Sequence, residues 1–559
     1  MKVCLNLFIC CILYFPTNIL AQTTYLPEGS KEYNLLERLE IKAQKNTNII
    51  FSTVKPYSRK FVVEEANYFE GISPNTPSLF TAIDLYNLQR LKNNSEEWDK
   101  SIDVNNKASD KRFHTFYKTR QHLAEVHDNG FFLALDPVFQ LQEGGESLTK
   151  QNVSLSTYGI IVRGEIAHKL GFSFTVSDNN EKGPEFFKQR VMQYNAVPGE
   201  GYFKTGANGS YNYLDARGYV TFTIAKYIDV QAGYDKNFIG NGYRSMFLSD
   251  YSSSFPFVKI NTRIWKLNYE NIFARQEPLD MGGVAKTSMK KYFVMHHLSM
   301  NIGRKLNLGV FEAESSARSS HIDFEYLNPI IFLRQVEGNI GSPDKAHVGI
   351  DVKENFAQRF QFYGQFMLDE FLLHQFIHHT GFWANKWAVQ AGIKYVDALN
   401  IKNLDVQLEA NVVRPFTYTH FDPVTNYSNY NQPLADPLGA NFHEIIGIFK
   451  YQPAVKWHIN GRAIYYNQGL DSAGKNLGSN IFLDYRTRPR DYGFKIAGGN
   501  RATCINASLN IAYELYDNLY IEATGFVRKY TVENGTGNNS TGVFTLGVRW
   551  NIFKRDYDY

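Results

Sequence analysis

The chain has 559 residues, 15% of them aromatic, with 36 Tyr and 42 Phe and a formal charge of +4. So small a charge, with no basic stripe, excludes a nucleic-acid binder. After the leader no run of about twenty apolar residues occurs, which excludes a bundle of membrane helices. A membrane β-barrel remains open, because it needs only every second residue to be apolar.

The first 21 residues read as a secretory signal. Lys2 supplies the positive region, Leu5 to Phe15 is mostly apolar, and Ile19-Leu20-Ala21 ends on a small residue, so cleavage is expected after Ala21. Pro16 interrupts the apolar run and argues against a retained helical anchor. Cys10 and Cys11 lie inside that run rather than after a small-residue site, which argues against a lipid anchor. Cys504 is then the only cysteine left, so no intrachain disulfide and no cysteine metal cluster is expected.

Residues 22–128 read as a small, mostly helical periplasmic element. Ser30 is placed to cap a helix with Leu35, Leu36 and Leu39 on one face. A second helix is expected with Thr76 as cap and Pro77 at its first position, followed by Phe80, Ile83, Tyr86-Asn87 and Arg90-Leu91. Phe51 to Phe61, between them, is rich in β-formers. From Lys92 to Lys111 the chain turns polar. The element could plug the barrel mouth or stand beside it as a solvated adaptor.

Residues 129–559 carry strand alternation. Phe544, Leu546, Val548, Trp550 and Ile552 share one parity, and Thr545, Gly547, Arg549 and Asn551 the other. Strands send alternate side chains to opposite faces. Leu404-Val406-Leu408-Ala410-Val412 opposes Asp405, Gln407, Glu409 and Asn411, and Ile505-Ala507-Leu509-Ile511-Tyr513 opposes Asn506, Ser508, Asn510 and Glu514. Such polar faces suit a wet lumen and the apolar faces suit lipid. Pro137, in the first strand, points to an edge-like position or a bulge. The predicted fold is all-β: a transmembrane antiparallel barrel of about 16 to 18 strands, 18 preferred, with the helical element added. Long outer loops are expected at 177–216, 276–291, 314–346, 417–444 and 468–503, which are rich in Gly, Asn, Pro and Tyr.

Two stretches could carry binding. Gly233 to Asp250 reads GYDKNFIGNGYRSMFLSD. It fails as a phosphate loop, because no Lys-Ser/Thr and no helix follow. It is either a glycine-rich corner or the wall of a saccharide or anion site, with Arg244 and Asp250 as ligands. Arg414 to Asn441 gathers Tyr418, His420, Tyr427 and Tyr430 among Asn, Asp and Gln. Aromatic planes beside amides and carboxylates suit the mixed C–H and hydroxyl surface of a sugar; the plainer reading is a loop whose tyrosines pack over the barrel. Arg414, Tyr418, His420, Tyr427 and Tyr430 therefore join Arg244 and Asp250 as candidate polysaccharide ligands. His374, His378 and His379 lack the glutamate of a zinc-helix motif and read as part of an interfacial aromatic girdle. No Gly-x-Ser-x-Gly or HExxH pattern occurs, so no catalytic set, cofactor or metal is expected, and the protein is not expected to be an enzyme.

With these stretches in hand, the chain resembles the Wzi-type capsule assembly family of outer-membrane barrels, and most closely its gliding-motility branch, the RemB proteins. The resemblance rests on YNLLERLEIKA (33–43), NFIGNGYRSMFLSD (237–250), NTRIWKLNYENIFA (261–274), FEYLNPIIFLRQVEG (324–338), AGIKYVDA (391–398) and RPFTYTHFDPVTNYSNYNQPLADPLGANF (414–442). The chain departs from the family in the glycine corner, reading Phe238-Ile239-Gly240-Asn241-Gly242 where the family carries a tryptophan-glycine-proline-glycine run. The resemblance implies an eighteen-stranded barrel in the outer membrane of a diderm bacterium, in contact with outer-membrane lipid. It further implies a lectin-like hold on surface polysaccharide, with motility or export machinery as a further partner. A passive diffusion pore and a barrel-embedded surface enzyme are the alternatives.

Overall fold

The computed structural model describes residues 23–46, 51–75, 79–99, 121–128, 130–167, 169–278, 290–318, 323–330, 333–341, 344–472 and 474–559. The expected signal and the Thr76–Pro77 helix start lie outside them.

Among the described residues, eighteen long antiparallel strands close into a ring, from Phe131–Glu146 round to Asn539–Trp550, which pairs back onto the first. Each strand otherwise pairs with its neighbours in sequence. Turns alternate in length. At one end the connections are tight, as at 226–227, 265–266, 455–456 and 517–518; at the other, among the described residues, lie the long segments 183–210, 236–254, 371–385, 414–441 and 474–499. Tight turns mark the periplasmic end and long loops the outer end.

The alternation read from the sequence sets the two faces. Leu408, Leu509, Val527, Phe544 and Leu546 are 45–57% exposed, while Glu409 and Asn506 are buried inside. With its exposed apolar belt the closed ring is a transmembrane barrel of the outer membrane. Trp265 and Trp457 stand exposed at the periplasmic turns, where aromatic girdles meet lipid headgroups.

Pro137 has its edge-like place. A short strand, Ala124–Asp128, pairs with Phe131 to Leu135, and the last barrel strand takes over the same edge at Phe139. Pro137 falls in the gap between the two partners, where a missing N–H costs no ladder bond.

Three helices fill the periplasmic mouth: α1 (Lys31–Ala43), α2 (Arg59–Ile72) and α3 (Ala82–Asn93). Helix α1 begins after Ser30 and buries Leu35, Leu36 and Leu39. Helix α2 was not anticipated. The stretch Phe51 to Phe61, rich in β-formers, yields only Val54–Lys55 as strand before the helix begins. Val62, Ala66 and Phe69 repeat at helical spacing and are fully buried, so packing overrides the β-branched preference of Val62-Val63. Helix α3 begins after Thr81, which forms a capping box with Asp84.

The helices are tied to the barrel by charge. Arg38 of α1 binds Asp84 at 2.8 Å and also the carboxylates of Asp397 and Asp405. Arg90 of α3 reaches Glu514 at 2.6 Å and Asp517 at 2.8 Å. Glu37 lies 2.6 Å from Lys394 and 3.2 Å from Lys55. Burial alone would raise its carboxyl, but the two ammonium groups hold it down at about 2.

Candidate functional site

The lumen is filled from both ends. From outside, the loop 236–254 turns inward and its Phe238–Ile239 pairs with Val54–Lys55 of the N-terminal element. Gly240 N–H donates to Thr53 O at 2.8 Å. Here glycine serves close approach: a Cβ on Gly242 would lie 2.5 Å from Glu409 Oε2 and 2.6 Å from Gln390 Oε1 on the barrel wall. Gly240-Asn241-Gly242 is thus a corner, as the plainer reading had it, but one that enters the lumen.

Arg244 on this loop is buried in an ion cluster. Its Nη1 lies 2.9 Å from Asp558 Oδ2, its Nη2 3.5 Å from Glu444 Oε1, and its Nε 3.8 Å from Asp436 Oδ2. Its own amide donates to Glu409 at 3.1 Å. Asp558 belongs to the segment 551–559, which leaves the last strand and runs up the lumen. Along the way Asp556 pairs with Arg462 at 3.0 Å and Arg555 with Glu181 at 2.7 Å. A guanidinium so engaged is not available to a sugar. Asp250 is exposed, and its carbonyl accepts from Lys236 Nζ at 2.9 Å.

The loop 414–441 also folds inward. Tyr418 and Tyr427 are 1% and 0% exposed. Their rings stack with centroids 5.5 Å apart, and their hydroxyls donate to the carbonyls of Met246 and Phe247 at 2.9 and 2.7 Å. They present no face to a ligand; they clamp one inward loop onto the other. His420 is buried beside Thr425 and Asp422. Burial, reinforced by Lys345, lowers its imidazole to about 4. Tyr430 is half-buried, its ring packed over Gly201. Arg414 is half-buried, with Nη2 donating to Phe382 O at 3.2 Å and Nε unpartnered.

Beside these plugs a chamber of about 870 Å³ persists, lined from Glu200 and Asp250 near the outer end to Gln452 and Asn518 at the periplasmic turns. Its walls carry both signs of charge. Glu28, on the segment before α1, is pushed up to about 8 by burial and then by the nearby carboxylates of Asp250 and Asp235.

A second feature was not singled out in the sequence. On the outer rim the loops 371–385 and 471–499 zip together. Trp383 N–H donates to Asp491 O at 2.9 Å, Gly493 N–H to Thr380 O at 2.9 Å, and Phe494 N–H to Gly381 O at 3.0 Å. Gly381, at φ +66°, leaves no room for a Cβ, which would meet Phe494 N at 2.8 Å. The result is a ledge of rings and cations. The Arg488 guanidinium lies 3.9 Å from the Trp383 ring centre, Arg486 5.0 Å from Phe421 and Arg490 5.3 Å from Phe494. Trp383 packs on Tyr485 at 4.8 Å and Phe382 on Tyr492 at 5.4 Å. The sequence signal was the arginine spacing in Arg486-Thr487-Arg488-Pro489-Arg490, which means little until Phe382-Trp383 is known to lie beside it. His374 and His378, read as part of an interfacial aromatic girdle, lie on the same rim, His374 in the short helix Leu373–Ile377 and His378 just after it, with rings 4.4 Å apart. At the periplasmic end, also unforeseen, His127 lies 2.9 Å from Glu125 and 3.3 Å from Glu96.

No family model matches this chain, and no curated protein matches it. Among solved structures, Wzi of Escherichia coli matches over 96% of this chain and 100% of its own, with a TM-score of 0.55 and 11% identity. The fold is Wzi-like. Wzi itself is described as an outer-membrane protein involved in group 1 capsule assembly and as a carbohydrate-binding β-barrel. OprD of Pseudomonas aeruginosa matches over 75% of this chain and 94% of its own, with a TM-score of 0.41 and 11% identity. OccAB1 of Acinetobacter baumannii gives 75%, 96%, 0.41 and 9%. Unlike these two, the Wzi-like match takes in nearly the whole chain.

Proposed function

We propose that this protein is a non-enzymatic outer-membrane barrel that binds or organises surface polysaccharide, capsule or slime, at its outer face, and that the cell uses this hold in gliding motility or adhesion. The observation that carries the reading is how much of the lumen the chain itself fills. Helices α1 to α3, the loops 236–254 and 414–441 and the segment 551–559 occupy the space a diffusion pore would keep open. That leaves the outer rim as the working surface, where Arg486, Arg490 and Tyr492 are exposed beside the aliphatic groups of Leu372, Leu373 and Ile377. The carbohydrate binding described for Wzi, on the same fold, favours a glycan as ligand. The motility role rests on the sequence resemblance. Many weak contacts along a polymer give avidity without a deep pocket. The test is capture of the cell's own capsular or slime polysaccharide by the purified barrel; absence of capture removes the reading.

A passive diffusion pore is the second reading. The chamber favours it, being lined from Asp250 to Asn518. Planar-bilayer recording separates the two: a plugged binder gives no large steady current, and a pore does.

A further inference from the structure

The ledge formed by the loops 371–385 and 471–499 holds more positive charge than it neutralises. From Leu483 to Lys495 four cations, Arg486, Arg488, Arg490 and Lys495, meet two carboxylates, Asp484 and Asp491. Asp484 binds Arg486 at 2.8 Å and Asp491 binds Arg488 at 2.7 Å. Arg490 and Lys495 are exposed and have no carboxylate partner among the described residues. Arg490 is nevertheless held in place: it donates to Gly493 O at 3.3 Å and lies against the Phe494 ring. Beside it Tyr492 is 51% exposed. Positioned guanidinium forks next to one open aromatic ring, Tyr492, form a surface that takes a planar anion and an apolar ring face together.

We propose that this ledge is the subsite for acidic sugar residues of the bound polymer, with Arg490 and Arg486 receiving the carboxylate of a hexuronate and Tyr492 meeting the C–H face of a pyranose. The inference rests on the polysaccharide-binding reading and adds the chemical class of the sugar. A guanidinium offers a carboxylate two parallel N–H donors, which a lysine ammonium cannot. Both arginines are exposed, so each contact is weak and screened by salt, and repetition along a chain supplies the hold. A lipid phosphate is the other anion at such a rim. The ledge favours sugar, because apart from Pro489 the side chains exposed between Asp484 and Lys495 are polar groups, charges and the Tyr492 ring, while the exposed aliphatic groups Leu372, Leu373 and Ile377 lie on the other loop.

The test uses the full mature barrel in detergent micelles. It is titrated with polygalacturonate, with dextran of matched length and with lipopolysaccharide micelles. Polygalacturonate is expected to bind, more weakly as salt rises, and dextran is not. The double variant Arg486→Gln, Arg490→Gln is expected to bind polygalacturonate at least about tenfold more weakly while keeping the heat-modifiable mobility of a folded barrel. Arg490→Lys is expected to recover part of the loss at most. Failure of polygalacturonate to bind overturns the proposal, as does equal binding of dextran or an undiminished double variant. Arginine-dependent capture of lipopolysaccharide that polygalacturonate does not displace overturns it in favour of lipid. If the cell's own polysaccharide binds and the double variant binds it equally, the acidic subsite falls and the polysaccharide reading stands. If neither polymer binds, both fall.

Discussion

Asp558 Oδ2 lies 2.9 Å from Arg244 Nη1, joining residues 314 apart in sequence. One comes up the lumen from the last strand and the other comes down from an outer loop, so this pair latches two plugs together. Arg244 also faces Glu444 and Asp436. Arg244→Ala leaves three carboxylates facing one another with their cation gone. Removing one partner of a buried ion group costs about 3–5 kcal/mol. The expected result is a clear fall in the temperature at which the compact barrel band is lost on semi-native gels. Asp558→Asn is expected to cost less, because its backbone carbonyl still accepts from Arg244 at 2.6 Å. An unchanged transition in Arg244→Ala removes the latch.

Tyr418 and Tyr427 behave as core, and their variants should say so. Tyr427→Phe deletes one hydrogen bond to the Phe247 carbonyl, a loss of about 1 kcal/mol. Tyr427→Ala leaves a ring-sized void beside Phe293 and His347, a loss of about 3–5 kcal/mol. Thermal melting checks both. Polysaccharide binding is expected to survive Tyr427→Phe. Lost binding with an unchanged melt returns these tyrosines to a ligand face.

The ring was legible because a lipid-facing strand announces itself residue by residue: Leu408 and Leu509 outward, Glu409 and Asn506 inward. Loop interiors announce nothing comparable. Tyr418 and Tyr427 have the composition of a sugar site, and only the carbonyls of Met246 and Phe247, more than 170 residues away in sequence, show them to be clamps. Arg244 offers a fork of donors beside a glycine corner, which in sequence suggests a ligand; its partner in the fold is Asp558. Helix α2 was masked by β-branched residues that tertiary packing overrules. The rim ledge was invisible for a similar reason, since Trp383 and Arg488 meet only when two loops pair.

His420 makes the loop 414–441 sensitive to acid. Burial lowers its imidazole from the usual 6.5 to about 4, with the Lys345 and Lys386 ammonium groups acting in the same direction and Asp369 against them. The folded loop therefore prefers neutral histidine. Its contribution is fully present above about 6.5 and is lost as pH falls from 6.5 towards 4. Limited proteolysis of the loop between pH 7.5 and 4.5, roughly spanning that window, is expected to show rising cleavage in the wild type and a flatter profile in His420→Gln. Parallel profiles remove His420 as the cause.

Leu408 and Gln407 are neighbours in one strand that meet opposite solvents. Leu408 is 53% exposed on the outer face, while the Gln407 amide donates to the Tyr363 hydroxyl at 2.8 Å inside. An arginine on the lipid face of a barrel costs about 2–4 kcal/mol at the bilayer midplane. Leu408→Arg is therefore expected to shift the midpoint of reversible unfolding from lipid vesicles by an amount in that range. Gln407→Leu removes one luminal hydrogen bond and is expected to cost about 1 kcal/mol. The ratio of the two matters more than either value, because both lie at the same depth in the same strand and only the side they face differs. A Leu408→Arg barrel as stable as the wild type would mean that this face meets water, and the membrane placement of the ring would fall with it.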